Sequence, residues 1–112
     1  MHYWRLRMTM SYIMEVWESV DWSERGAYMS GRHGITPAAA DEALNDPERL
    51  VIDPDYASQS GRTVRVVGYS PTLGQLVTVI VLDHEGHEYG VNGWPANEKD
   101  SRLYRDGGQT HE

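Results

Sequence analysis

The stretch from Thr63 to Trp94 restricts the possible folds of this chain more than any other. Thr63 to Tyr69 alternates, with Val64 and Val66 to one side and Thr63, Arg65 and Val67 to the other, and Ser70-Pro71-Thr72-Leu73-Gly74 follows as turn chemistry. That pattern predicts a half-buried strand entering a turn. Leu76 to Leu82 is apolar nearly throughout and rich in β-branched residues, which predicts a central strand covered on both faces. Asp83-His84-Glu85-Gly86-His87 is a polar turn, and Glu88 to Trp94 alternates again. Strict alternation there puts Tyr89 and Val91 on one face and Asn92 and Trp94 on the other. Three such strands joined by short turns predict an antiparallel meander.

The flanking segments read as follows. Met10 to Glu18 carries strand formers and predicts a first strand. Asp21 as N-cap with Glu24 three residues on predicts a capping box and a helix to about His33. Gly34 suits its left-handed C′ position, and Arg32 and His33 suit the negative end of its dipole. Gly26 and Gly31 weaken this helix, so it should depend on packing of Trp22, Ala27 and Tyr28. Thr36-Pro37 opens a second helix that Asn45-Asp46-Pro47 stops, with Ala39, Ala40, Ala43 and Leu44 as a narrow apolar stripe. Leu50-Val51-Ile52 reads as a short strand, and residues 53–61 read as a polar, mobile loop. Asn97 with Asp100 reads as a capping box opening a short helix to about Arg105, closed by Gly107-Gly108. The expected fold is α+β: a compact antiparallel sheet, built from the meander and an N-terminal strand, with two N-terminal helices and one short C-terminal helix. Residues 1–112 form a single domain, with 1–9 open to reading as an extension and 106–112 as a frayed tail.

Composition removes several function classes. With no Cys there is neither a disulfide framework nor a thiolate metal site, so the cytoplasm is the default location. No apolar run approaches the roughly 18 residues that span a bilayer. A net charge of −7 argues against bulk attraction to nucleic acid or anionic membrane. Acidic residues gather between Asp41 and Asp55 and around Glu85, whereas Arg25, Arg32, Arg62, Arg65, Lys99, Arg102 and Arg105 lie near element ends or on the meander. Such separation of signs can leave one basic face on an acidic protein.

Three motifs carry chemistry. His84-Glu85-Gly86-His87-Glu88 lacks the helical spacing of the metalloprotease motif, reads as a solvated turn, and is assigned no metal. His33 at a helix end is suited to acid-base work, although a basic pair there also serves simply to cap carbonyls. Trp94, between Gly93 and Pro95, either stacks on a base or closes the core.

The helix ending in Arg32-His33-Gly34-Ile35, the Thr36-Pro37 start of the next helix, its stop at Asn45-Asp46-Pro47 and the strand bearing Val66-Val67-Gly68-Tyr69-Ser70 together resemble the BrnT-type toxins of bacterial type II toxin-antitoxin systems. The resemblance covers roughly Trp22 to Tyr104 and extends to Ala96, Asn97, Asp100, Arg102 and Tyr104 near the C-terminus, while Trp94 stands where the family has Arg. It implies a RelE-like fold and a metal-independent ribonuclease without cofactor, inhibiting growth by RNA cleavage. His33, Arg32, Arg62 and Arg65 would be its catalytic residues, with Arg25, Arg102, Tyr104 and Trp94 binding RNA or phosphate. A small antitoxin, often of ribbon-helix-helix type, would be the protein partner, with DNA contacted only through that complex. The alternative is a BrnT-like protein that has lost catalysis and binds protein or RNA, a reading favoured by Trp94 and by the acidity. A metal-dependent enzyme using His84 to Glu88 ranks last.

Overall fold

A computed structural model describes the strand Trp4–Arg5 and residues 20–107. The elements are β1 (Trp4–Arg5), α1 (Gly26–His33), α2 (Pro37–Leu44), β2 (Leu50–Ile52), β3 (Thr63–Ser70), β4 (Gln75–His84), β5 (His87–Pro95) and α3 (Glu98–Arg105). The fold is α+β. Its strands form one antiparallel sheet whose spatial order, β1-β2-β3-β4-β5, is the order in sequence. The N-terminal strand expected at Met10 to Glu18 lies outside the described residues. A strand is found instead within the stretch read as an extension, where Trp4 pairs with Ile52 and Arg5 with Val51.

α1 and α2 cover one face of the sheet. Met29, Ile35 and the stripe Ala39, Ala40, Ala43 and Leu44 pack on Val51, Val66, Val77, Val79 and Val81. Small residues on α2 let it approach closely, since a Cβ built on Gly68 of β3 would fall 2.0 Å from the Ala43 carbonyl oxygen. Thr36 caps α2 as expected, its Oγ1 accepting from the Ala39 N–H at 3.1 Å, with Pro37 at the first helical position. Gly34 ends α1 at φ 73°, the left-handed region that favours glycine.

The start of α1 differs from expectation. Asp21 does not cap a helix, because its backbone is committed to β5: its N–H donates to the Glu88 carbonyl and its carbonyl accepts from the Gly90 N–H. The helix begins at Gly26, and its buried residues are Gly26 and Met29; Ala27 and Tyr28 are exposed, although Trp22 does pack against the core.

β5 also departs from strict alternation. Tyr89 faces Leu82, Asn92 faces Ile80 and Trp94 faces Thr78, with the register shifted between Ile80 and Val81. A bulge at Val91 therefore puts Tyr89 on the same face as Asn92 and Trp94. It also turns Gly90 and Gly93 toward the helices, where Trp22 and Met29 leave no space for a side chain.

The opposite face is covered only in part. Leu50, Ile52 and Val67 pack with Tyr56, Ala96, Leu103 and Tyr104, and beyond α3 the sheet is overhung by residues 53–61. That segment is held rather than loose, because Asp55 ties it to β3 by a backbone hydrogen bond to Thr63 and by its side chain to Arg65. Asn97 caps α3 by accepting from the Asp100 N–H at 2.8 Å. The Asp100 carboxylate is turned inward to other partners.

Candidate functional site

The half-covered face carries an open trough made of two adjoining cavities that share Val91. One, of about 440 Å³, is lined by Ser58, Gln59 and Ser60 of the overhanging loop and by Arg65, Asn92 and Trp94 of the sheet. The other, of about 490 Å³, is lined by Glu24, Arg25, Arg62, Leu82, His84 and Tyr89. The alternation of β3 and β4 puts Arg65, Ile80 and Leu82 on this face, and the Val91 bulge adds Tyr89, Asn92 and Trp94.

Arg65 anchors the trough. It is only 4 % exposed. Its Nε donates to Asp55 Oδ1 and its Nη1 to Asp100 Oδ2, each at 2.7 Å. Asp100 is fully buried and also accepts from Thr78 Oγ1 at 2.8 Å and from the Tyr56 hydroxyl. The guanidinium lies 4.2 Å from the Tyr56 ring centroid and 5.6 Å from that of Trp94. Burial alone would weaken the charge on Arg65, but its hydrogen bonds to Asp55 and Asp100 more than offset that, and its pKa is raised. Burial, and then the hydrogen bond to Asp100, push the Tyr56 hydroxyl up to about 12. Two carboxylates thus neutralise one cation, so Arg65 is a fastener between loop, sheet and α3 rather than an open charge.

The structure brings together several of the residues singled out in the sequence. Arg25 and Arg62 are exposed and line the second cavity; Arg25 Nε also donates to the Val91 carbonyl at 3.1 Å, and its guanidinium sits 4.3 Å from the Tyr28 ring centroid. Trp94 lines the first cavity; His33 lines neither, but its half-buried ring lies 5.9 Å from that of Trp94 between centroids, with Tyr28 edge-on to it at 6.4 Å. Other residues lie apart from the trough. Arg32 and Arg102 are exposed and line neither cavity. Tyr104 is turned to the far end of β3, donating to Asp46 Oδ2 at 2.7 Å beside the Tyr69 N–H on the same oxygen. In the hairpin after β4, Glu85 and Gly86 take positive φ, and His87 pairs with Asp21 at 2.9 Å.

Sequence reasoning missed Asp55, Tyr56, Thr78, the inward role of Asp100, and Asn92. One signal was present: an Arg on the inward side of a strand requires counter-charges. Nothing local chose among the acidic residues that might supply them. No family model matches this chain, and no curated protein matches it.

Proposed function

We propose that this chain is a ribonuclease toxin of a type II toxin-antitoxin system, acting on single-stranded RNA laid along the trough. The observation that carries this reading is the convergence of Arg25, Arg62 and Trp94 on adjoining cavities, with His33 against Trp94, in a chain whose net charge is −7. Two exposed guanidinium groups in one trough suit a phosphate chain, and an aromatic wall suits unstacked bases. The resemblance to BrnT-type toxins points the same way.

Cleavage of RNA by its own 2′-hydroxyl needs a base for that hydroxyl, cations for the pentavalent phosphate and an acid for the departing 5′-oxygen. His33 serves as the acid or base, a role that typically contributes about 10²- to 10⁴-fold. Arg62 and Arg25 hold the phosphate, with preorganised charge of the kind that gives comparable help. Arg65 acts through the loop and α3, which it holds in place. The protein partner is a small antitoxin that covers the basic trough, and DNA is met only through that complex. The site of action is the cytoplasm; among the described residues no helix is long and apolar enough to cross a membrane.

Induced expression of wild type, His33→Ala and Arg62→Ala, with growth and total RNA followed together, tests this. Growth arrest with RNA loss, relieved by both substitutions, is the expected outcome. Unimpaired growth with intact RNA, from protein shown to be folded, would transfer the assignment to a non-catalytic binding module. One observation favours that second reading: Arg65, the Arg that lines the first cavity among the described residues, is already neutralised by Asp55 and Asp100.

A further inference from the structure

The two halves of the trough differ in chemistry. The half toward Tyr89 has exposed guanidinium groups from Arg25 and Arg62. The half toward Trp94 has a neutralised Arg65, uncharged polar groups on Ser58, Gln59, Ser60 and Asn92, and an apolar floor of Ile80 and Val91. A nucleotide divides in the same way, into a charged phosphate and an uncharged, hydrogen-bonding heterocycle. At about 440 Å³ the neutral half falls in the usual range of small-molecule sites, roughly 300–1,000 Å³.

Asn92 gives this half a direction. Its Oδ1 accepts from the backbone N–H of Gly93 at 2.9 Å. An N–H can be accepted only by the amide oxygen, so the side chain cannot be flipped without losing that bond. The Nδ2 amino group donates to no protein group among the described residues, and Asn92 lines the cavity. The cavity wall therefore presents a donor whose orientation is fixed by the main chain.

We infer that the cavity between residues 58–60 and β5 is a base subsite in which Asn92 is the specificity-determining residue, selecting a base with an exocyclic carbonyl, such as uracil, over adenine. This rests on the proposal that the trough binds RNA. A carbonyl oxygen projecting from the ring meets the Asn92 amino group as an acceptor, whereas the bidentate pairing of an asparagine with adenine also needs the amide oxygen, which the Gly93 N–H already occupies, and adenine carries an amino donor where uracil carries a carbonyl. The discrimination is that of one oriented hydrogen bond, about 10-fold in affinity.

The test uses short oligouridylate and oligoadenylate, titrated against the full chain carrying His33→Ala so that RNA survives the measurement. Asn92→Ala and Asn92→Asp are compared in that background, with folding checked by circular dichroism and urea unfolding. The readout is the ratio of the two affinities, which cancels the intrinsic stacking of adenine and the general effect of an added negative charge. The expected result is a preference for oligouridylate, lost in Asn92→Ala and reversed in Asn92→Asp, where an acceptor replaces the donor. Binding of both oligomers with a ratio unmoved by either substitution overturns the base subsite while leaving RNA binding in place. No binding of either oligomer by folded protein overturns the RNA reading, and the subsite with it.

Discussion

The two faces of the sheet are built from the same strands by different means. Under α1 and α2 the side chains are aliphatic and close-packed, with Gly68 flush against Ala43 and with Gly90 and Gly93 against Trp22 and Met29. On the other face a smaller apolar cluster gives way to Arg65, Asp55, Asp100, Thr78 and Tyr56, and then to open trough. The first face derives its stability from volume and the second from pairing. The lesson is that a small protein can leave part of a sheet uncovered for a site when a satisfied ion cluster holds the surrounding segments in place.

The largest effect expected from breaking this contrast is at the ion cluster. We predict that Arg65→Met destabilises the fold by about 3–5 kcal/mol, because the carboxylates of Asp55 and Asp100 are then left buried without a cation. Adding Asp55→Asn and Asp100→Asn in the same chain removes both unpaired charges and should recover part of it, as measured by urea unfolding; equal instability of the single and triple variants would show that the cluster is not organised around Arg65. On the helical face, Gly68→Ala is predicted to cost about 3 kcal/mol, at the upper end of overpacking, because backbone rather than a flexible side chain blocks the new methyl. A loss below about 1 kcal/mol would mean that α2 can lift off the sheet, against the tight contact seen. Thr36→Ala should cost about 1 kcal/mol through loss of the α2 cap, read in the same unfolding experiment.

Two pH effects sharpen the comparison further. Tyr56 titrates at about 12 folded against an ordinary 10, so folding favours its protonated form. Its contribution is complete below pH 10 and is lost as pH rises toward 12. Tyr56→Phe should flatten that alkaline loss. At the rim, hydrogen bonds from Ser23, followed by the one from His87, hold the Asp21 carboxyl at about 2 against an ordinary 3.8. Folding there favours the carboxylate, so the contribution is intact above pH 3.8 and disappears as pH falls through 2. Because Asp21 is only half-buried at the surface, the effect should be the smallest of these and should shrink with salt; Asp21→Asn with unchanged acid unfolding would remove it from the account.

Much of the close-packed face was legible in the sequence because its signals are local. The alternation of Thr63 to Tyr69, the β-branched run of β4, the Thr36-Pro37 start and the Gly34 stop each lie within a few residues of what they specify. The other face was not legible, because Arg65 finds its partners 10 and 35 residues away, and Asp100 looked complete as a helix-capping residue. Asp21 misled for the opposite reason: a sound local cap signal lost to backbone pairing with β5. The Val91 bulge did leave a trace, since Gly90 and Gly93 are three apart and only a break in the period of two can turn both toward the helices. Of the candidate site, Arg25, Arg62, Trp94 and His33 were identified from sequence, whereas the wall that shapes their trough appeared only with the fold.

The backbone pairing that displaced Asp21 from its helix also bears on how this protein meets other chains. An open edge strand is a template on which another strand can grow. Along β5 the Glu88 carbonyl and Gly90 N–H are taken by Asp21, the Val91 carbonyl by Arg25, and the Gly93 N–H by the Asn92 side chain. At the other edge β1 is two residues long. Among the described residues neither margin offers a long run of free main-chain groups, so strand-by-strand addition to them is blunted. Recognition by a partner is left to side chains and therefore to sequence.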